Sequence, residues 1–236
     1  MYAHNNRPGI AVATLSVVGV LGTLGLAGCA PAGSVTAEAA PIAVGAMDMS
    51  QMHKGSDADA RVAMYTAMAH LWAQHMEWTY ATVVAFAEGS PALGPTLQRL
   101  LQNQADIGDA IRPFYGDTAG DRLTALLKTH IEEAVPVLTA AKAGDRAGLK
   151  TSLDAWYANA TEIGDFLASA NPRWRKSDME EMMRTHITQT VAYASDALAG
   201  DYTKAIADYG VAEHHMQDMA DMLADGIIRQ FPKQFR

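Results

Sequence analysis

Leu71-Trp72-Ala73-Gln74-His75-Met76 returns twice along the chain, as Leu126-Leu127-Lys128-Thr129-His130-Ile131 and as Met182-Met183-Arg184-Thr185-His186-Ile187. Each copy is two large apolar residues, two spacers, a histidine and an apolar residue. The histidines stand 55 and 56 residues apart. A second register accompanies the first. Asn103-Gln104-Ala105-Asp106-Ile107-Gly108-Asp109 aligns with Asn159-Ala160-Thr161-Glu162-Ile163-Gly164-Asp165 and with His215-Met216-Gln217-Asp218-Met219-Ala220-Asp221, each offset by 56 residues. Two registers on one period point to a structural unit copied three times.

Outward from these segments the apolar spacing is 3 and 4 from Asp57 onward, and no segment alternates as a strand would. The spacing predicts helices near 58–88, 92–114, 119–142, 146–169, 178–199 and 202–230. The fold class is therefore all-α: a six-helix bundle built from three repeated helical hairpins, occupying 57–236. Cap chemistry fits these starts. Ser90 precedes Pro91, Ser177 with Glu180 makes a capping box, and Asp145 and Asp201 each follow a glycine that can end the helix before. Pro136 falls inside the third helix, where it should kink the chain.

At about 100° per residue, His75, His130 and His186 lie within the apolar stripes of the odd helices, each toward one edge. Asn103 and Asn159 take the matching place on the even helices, and His215 lies somewhat further round. All six sit near mid-helix, and antiparallel helices of equal length bring their midpoints to one level. The pattern predicts a polar layer inside an apolar bundle.

Two readings of that layer stand. Buried Asn and His must be hydrogen-bonded, so the layer can be a device that fixes helix register in a non-catalytic binding or scaffolding protein. Alternatively, neutral imidazole is the commonest metal ligand, and His75, His130, His186 and His215 meet the ligand count for zinc or copper. Met219 beside His215, and the run Met47-Asp48-Met49-Ser50-Gln51-Met52-His53, add soft thioethers that favour copper as Cu(I). Methionine at helical spacing is also ordinary core filler. Asp106, Glu162 and Asp218 follow Asn103, Asn159 and His215 by three residues. They can orient histidines from behind or simply meet solvent. The Glu-x-x-His pairs of di-iron bundles are missing.

The front of the chain reads as an export signal. Arg7 precedes an uncharged run from Gly9 to Gly28 that ends in Leu26-Ala27-Gly28-Cys29. That ending resembles the lipobox of bacterial lipoproteins, which implies cleavage after residue 28 and lipidation of Cys29, the one cysteine in the chain. Residues 30–56 are rich in Ala, Gly, Ser and Pro and read as a tether, spanning about 30 Å as a coil. The expected location is the cell envelope outside the cytoplasm, held to the membrane by lipid.

Composition narrows the partners. Across 236 residues there are 18 Lys+Arg and 26 Asp+Glu, a net charge of −8. That balance is a poor match for nucleic acid. One cysteine excludes an internal disulfide and a multi-thiolate metal site. No phosphate-binding glycine loop and no nucleophile–base set is visible, so an enzyme is the third expectation.

Several segments resemble a bacterial family of exported helical proteins. They are Arg99-Leu-Leu-Gln-Asn-Gln-Ala-Asp-Ile-Gly108, Phe114-Tyr-Gly-Asp-Thr-Ala-Gly120, Leu123-Thr-Ala-Leu-Leu-Lys-Thr-His130, Ala170-Asn-Pro-Arg-Trp174 and Gln230-Phe-Pro-Lys-Gln-Phe235. The similarity covers roughly 70–236 and implies the helical-bundle architecture. Members are sometimes labelled glycosyltransferase, yet an all-helical chain of this size offers no nucleotide-sugar fold. Pro136 marks a departure from the family's helix.

Overall fold

The structure is a computed structural model that describes residues 57–236. The expected export signal, the expected lipidation at Cys29 and the Met47–His53 run lie outside the described residues. Within them the chain forms six helices: α1 (Asp57–Glu88), α2 (Leu93–Tyr115), α3 (Asp117–Ala143), α4 (Arg146–Ala170), α5 (Lys176–Leu198) and α6 (Tyr202–Gln230). A 3₁₀ turn over Pro232–Phe235 closes the chain. No strand occurs among the described residues. No helix there is long and apolar enough to cross a membrane.

Each helix packs on its neighbours in sequence, and α6 returns to α1, so the six close into a ring. Within the ring α5 also touches both α1 and α3. Short connections make consecutive helices antiparallel, so α1, α3 and α5 run the same way and their midpoints share a level.

The odd helices end alike. Gly89, Gly144 and Gly200 follow α1, α3 and α5 with φ of 66°, 69° and 79°. The left-handed backbone favours glycine at each, and it turns the next amide back onto the helix. Ser90 N donates to Ala85 O at 2.9 Å, Asp145 N to Ala140 O at 2.9 Å and Asp201 N to Asp196 O at 3.0 Å. The following helices then start on the expected caps at two places. Gly148 N donates to Asp145 Oδ1 and Lys204 N to Asp201 Oδ1, each at 3.0 Å.

Two local expectations are corrected. The Ser177–Glu180 capping box does not form. The helix α5 begins two residues earlier, at Lys176, with Arg175 at its cap and no side-chain cap bond, and Ser177 Oγ donates to Asp178. Two salt links from Arg175 to Asp178 and from Lys176 to Asp165 hold that start instead. Pro91 lies in the turn before α2 rather than as its first residue. Pro136 lies inside α3, which runs from Asp117 to Ala143 around it. It sits beside exposed Val135 on the outer face, where Glu132's orphaned carbonyl can meet water.

Glycine also sets how closely helices cross. A Cβ on Gly108 would lie 2.7 Å from the Gly120 carbonyl oxygen of α3, and one on Gly164 would lie 2.9 Å from the Glu180 amide nitrogen of α5. These contacts draw α2 onto α3 and α4 onto α5 backbone to backbone. They fix the depth at which the mid-helix side chains meet.

Candidate functional site

His75 from α1, His130 from α3 and His186 from α5 meet in the interior, each at most 3% exposed. The central place of α5 shows in the rings. His186 lies 5.4 Å from His75 and 5.7 Å from His130, centroid to centroid, with planes inclined 56° and 29°. Three of the four histidines expected at one level are therefore together.

Their electrostatics keep them neutral. Burial holds His75 down at about 3, with nearby His130 adding to the effect. Burial likewise holds His130 at about 4, against a small upward pull from Asn159. His186 lies well below the ordinary histidine value because of burial and then of His75, His130 and His215 around it. At neutral pH all three carry a lone pair, as ligation requires.

Neighbouring amides orient two of the rings. His130 Nδ1 is 2.9 Å from Asn159 Oδ1, and Asn159 Nδ2 donates to Leu126 O at 3.2 Å. An amide oxygen only accepts, so His130 carries its proton on Nδ1 and bares the lone pair on Nε2. That Nε2 has no hydrogen-bond partner among the described residues, and neither does His186 Nδ1. Gln104 Nε2 stands 3.3 Å from His75 Nδ1 while donating more closely to Leu100 O at 2.8 Å. Trp72 packs edge-on to His75 and Trp156 lies 5.2 Å from His130, and both indole N–H groups are also unpartnered. An orphaned buried polar atom costs about 1–3 kcal/mol, so a cluster of them needs an explanation.

The three rings line one side of a cavity of about 80 Å³ that is partly open to solvent. Its other walls are mostly apolar, among them Leu97, Ile131, Leu138, Val191 and Ala194, with the hydroxyl residues Thr79, Thr82, Thr190 and Ser195 also in the lining and no charged residue there.

The remaining expected residues go elsewhere. His215 is half-buried, and its Nε2 donates to Met182 O at 3.0 Å, which spends that nitrogen on the backbone of α5. Asn103 is buried and donates to Leu71 O at 3.0 Å. Met219 lines a second, smaller cavity with Met68 and Met183, and none of the three histidines is in its walls. The three carboxylates orient no imidazole. Asp106 bonds Arg99 and Gln102, Glu162 faces Arg122 at 3.8 Å, and Asp218 faces exposed His214. Helical wheels already set them toward the surface, where ion pairs with neighbours are the cheaper arrangement.

Gln104 is the residue that the sequence reading passed over. Its signal was a polar side chain where the aligned copies carry Ala160 and Met216. Among the described residues no group of three or more His, Cys, Asp or Glu side chains already stands in coordinating geometry. Comparison with family models, with curated proteins and with solved structures finds no match to this chain.

Proposed function

We propose that this bundle binds one transition-metal ion, copper first and zinc second, through His75, His130 and His186, and that it buffers, delivers or senses metal in the cell envelope. The observation that carries the reading is the pair of bare, buried nitrogens, His130 Nε2 and His186 Nδ1, in a cluster of three neutral imidazoles. Ring centres around a four-coordinate metal with nitrogens at about 2.0–2.1 Å stand about 5 Å apart. The spacings of 5.4 and 5.7 Å are close to that, so coordination asks for ring rotation about Cβ–Cγ and little backbone movement. Asn159, holding Nδ1–H, fixes the tautomer that ligation through Nε2 needs.

Charge supports copper in its monovalent state. All three ligands are neutral and the cavity walls hold no carboxylate. The cost of a buried ion rises with the square of its charge, so a divalent ion is disfavoured here about fourfold more than a monovalent one. This argument replaces the thioether one, since Met219 faces another cavity.

Three hairpin repeats account for how the site arises. Gly89, Gly144 and Gly200 share the period of the histidines. The links Asn103 to Leu71 O, Asn159 to Leu126 O and His215 to Met182 O join the same positions of successive hairpins. On this reading these three residues clamp register, and His215 is a clamp rather than a ligand. We place the bundle outside the cytoplasmic membrane, on a tether from a lipidated Cys29, within the exported helical family that the sequence resembles.

The test is retention of metal after desalting, with Cu(I), Cu(II) and Zn(II) offered separately. One Cu(I) per chain is expected, retained more tightly than zinc and lost from His130→Ala and His186→Ala. Wild type that retains no metal, or alanine variants that retain as much, would falsify the reading.

A further inference from the structure

We infer that the cavity beside the histidines takes the alkyl chain of an unbranched carboxylate, its methyl end toward the imidazoles and its carboxylate at Lys142 and Arg146. No metal takes part, so the inference stands apart from the reading above.

The cavity has a closed end and an open one. At the level of the imidazoles its lining is buried, with Leu100, Ile131 and Trp156 at most 5% exposed. Toward the turns at Gly89, Gly144 and Gly200, Leu97, Leu138, Leu149 and Leu198 are half-buried and Ser195 is exposed. The lining of α3 runs from His130 to Ala141, about 16 Å at about 1.5 Å per residue. A volume of about 80 Å³ drawn out over that length suits a chain better than a ring. An apolar cavity of about 150 Å³ admits benzene, so this one encloses about three or four carbons, and the rest of a chain lies in the half-exposed stretch. Carbon–carbon bonds of about 1.5 Å advance an extended chain by about 1.25 Å each, so about a dozen carbons reach from the imidazoles to the end of α3.

Polarity sets the direction of the chain. At the closed end His130 Nε2, His186 Nδ1, Thr190 Oγ1 and Trp156 Nε1 lack partners, but all four atoms are covered by their neighbours and present nothing to a head group. Farther along, Thr82 Oγ1 donates to Trp78 O and Ser195 Oγ to Val191 O, each at 2.7 Å, so those protons are spent on their own helices. A carboxylate in the interior would lose its hydration without compensation, and the methyl end therefore enters first. Cations stand at the open end. Lys142 follows Ala141 of the lining, and its ammonium donates to Phe86 O at 2.9 Å and Ala87 O at 3.0 Å, which leaves one N–H to give. Arg146 is exposed and shares a face of α4 with Leu149 of the lining. Neither cation has an ion pair among the described residues. The carboxylates of that end are already engaged. Asp145 holds Gly148 N, Asp201 holds Lys204 N, Asp196 holds Lys204 Nζ and Glu88 holds the Tyr202 hydroxyl.

The experiment uses the full chain, free of added metal and of detergent. Octanoate, decanoate and dodecanoate are titrated by calorimetry, beside decan-1-ol and 1-adamantanecarboxylate. One dodecanoate per chain is expected, bound at least tenfold tighter than octanoate, since each buried CH₂ contributes up to about fourfold. Decan-1-ol and 1-adamantanecarboxylate should both bind more weakly than decanoate. Lys142→Gln combined with Arg146→Gln should weaken decanoate at least tenfold and leave decan-1-ol unchanged, which also shows that the cavity is intact. Ala134→Phe puts a ring into the cavity from α3 and should weaken decanoate at least tenfold. Ala134→Leu, a milder filling, should weaken it less. Wild type that binds no dodecanoate, affinity that ignores chain length, 1-adamantanecarboxylate or decan-1-ol binding as tightly as decanoate, or decanoate indifferent to the loss of both cations or to both fillings each overturns the inference. Metal retention is read in its own assay, so either reading can fail alone.

Discussion

The two cavities of the bundle differ more than their shared helical frame suggests. One holds about 80 Å³ beside three histidines, two of which carry a bare nitrogen. The other holds about 20 Å³ among Trp72, Ile107, Leu127, Ile163, Trp174 and Ile227, with no charged residue in its walls. Apart from the unpartnered indole of Trp72, polar groups near the tight region find partners: Trp174 Nε1 donates to Met222 O at 3.3 Å, Asn171 Nδ2 to Tyr115 OH at 3.0 Å, and Tyr115 OH to Gln230 Oε1 at 2.8 Å. The aromatic rings of Phe114 and Phe235 stack there at 5.7 Å. The same kind of helix pair thus packs more tightly where it is apolar and more loosely where it carries imidazole. Interiors normally close to crystal-like density, so the loose region forgoes stability that the fold could have had.

Acid should break the comparison most strongly. The three imidazoles are neutral in the fold and take up protons near 6.5 once unfolded. Their contribution is complete above pH 6.5 and is lost as the pH falls toward about 4 for His130 and about 3 for His75. Each costs about 1.4 kcal/mol per pH unit in that window, so going from pH 7.5 to 5 should remove about 6 kcal/mol. Glu133 works the other way, since burial and then Glu162 raise its carboxyl, but it acts at the acid edge of the window. Urea unfolding at several pH values reads the slope. His186→Leu should flatten it by about a third, and an equal slope in that variant would sink the account. Bound metal should move the whole loss to lower pH, because ligation competes with protons.

At the tight region the largest effect comes from Trp174. It is 4% exposed, packs 5.9 Å from Tyr115 and would collide with any side chain on Gly226. Trp174→Ala should cost about 3–5 kcal/mol at neutral pH. Because no histidine is involved, that loss should be the same at pH 7.5 and 6, which chemical denaturation can check. A pH-dependent loss would mean that the two regions are not energetically separate.

Much of this architecture was legible in the residues. The helix bounds follow from apolar spacing and from Gly144-Asp145 and Gly200-Asp201, whose stop-and-start chemistry is local. The meeting of His75, His130 and His186 follows from their common period and mid-helix places. What escaped was tertiary. A helical wheel puts His215 beside Met219 but cannot tell that one bonds the Met182 carbonyl and the other faces a separate cavity. The start of α5 escaped because Arg175 and Lys176 form ion pairs that outcompete the serine cap. Gln104 escaped because its partner, His75, lies 29 residues away on another helix.

The finest contrast is between adding atoms in the two regions. Ala134 lines the open cavity, half-buried on α3. Ala134→Leu adds three carbons into space already present, keeps helix propensity and buries more apolar surface. It should leave stability within about 1 kcal/mol of wild type, on the stabilising side. Gly164→Ala adds one carbon at a crossing where backbone meets backbone, 2.9 Å from the Glu180 nitrogen. The gain of about 1 kcal/mol in helix propensity is opposed by overpacking of about 1–3 kcal/mol, for a net loss near 1 kcal/mol. One carbon should therefore destabilise where three do not, and thermal unfolding of the two variants side by side decides it. If Ala134→Leu proved the more destabilising of the pair, the space beside the histidines would be committed to something that leucine displaces, and metal retention by that variant would then show whether the ion or its approach is what was lost.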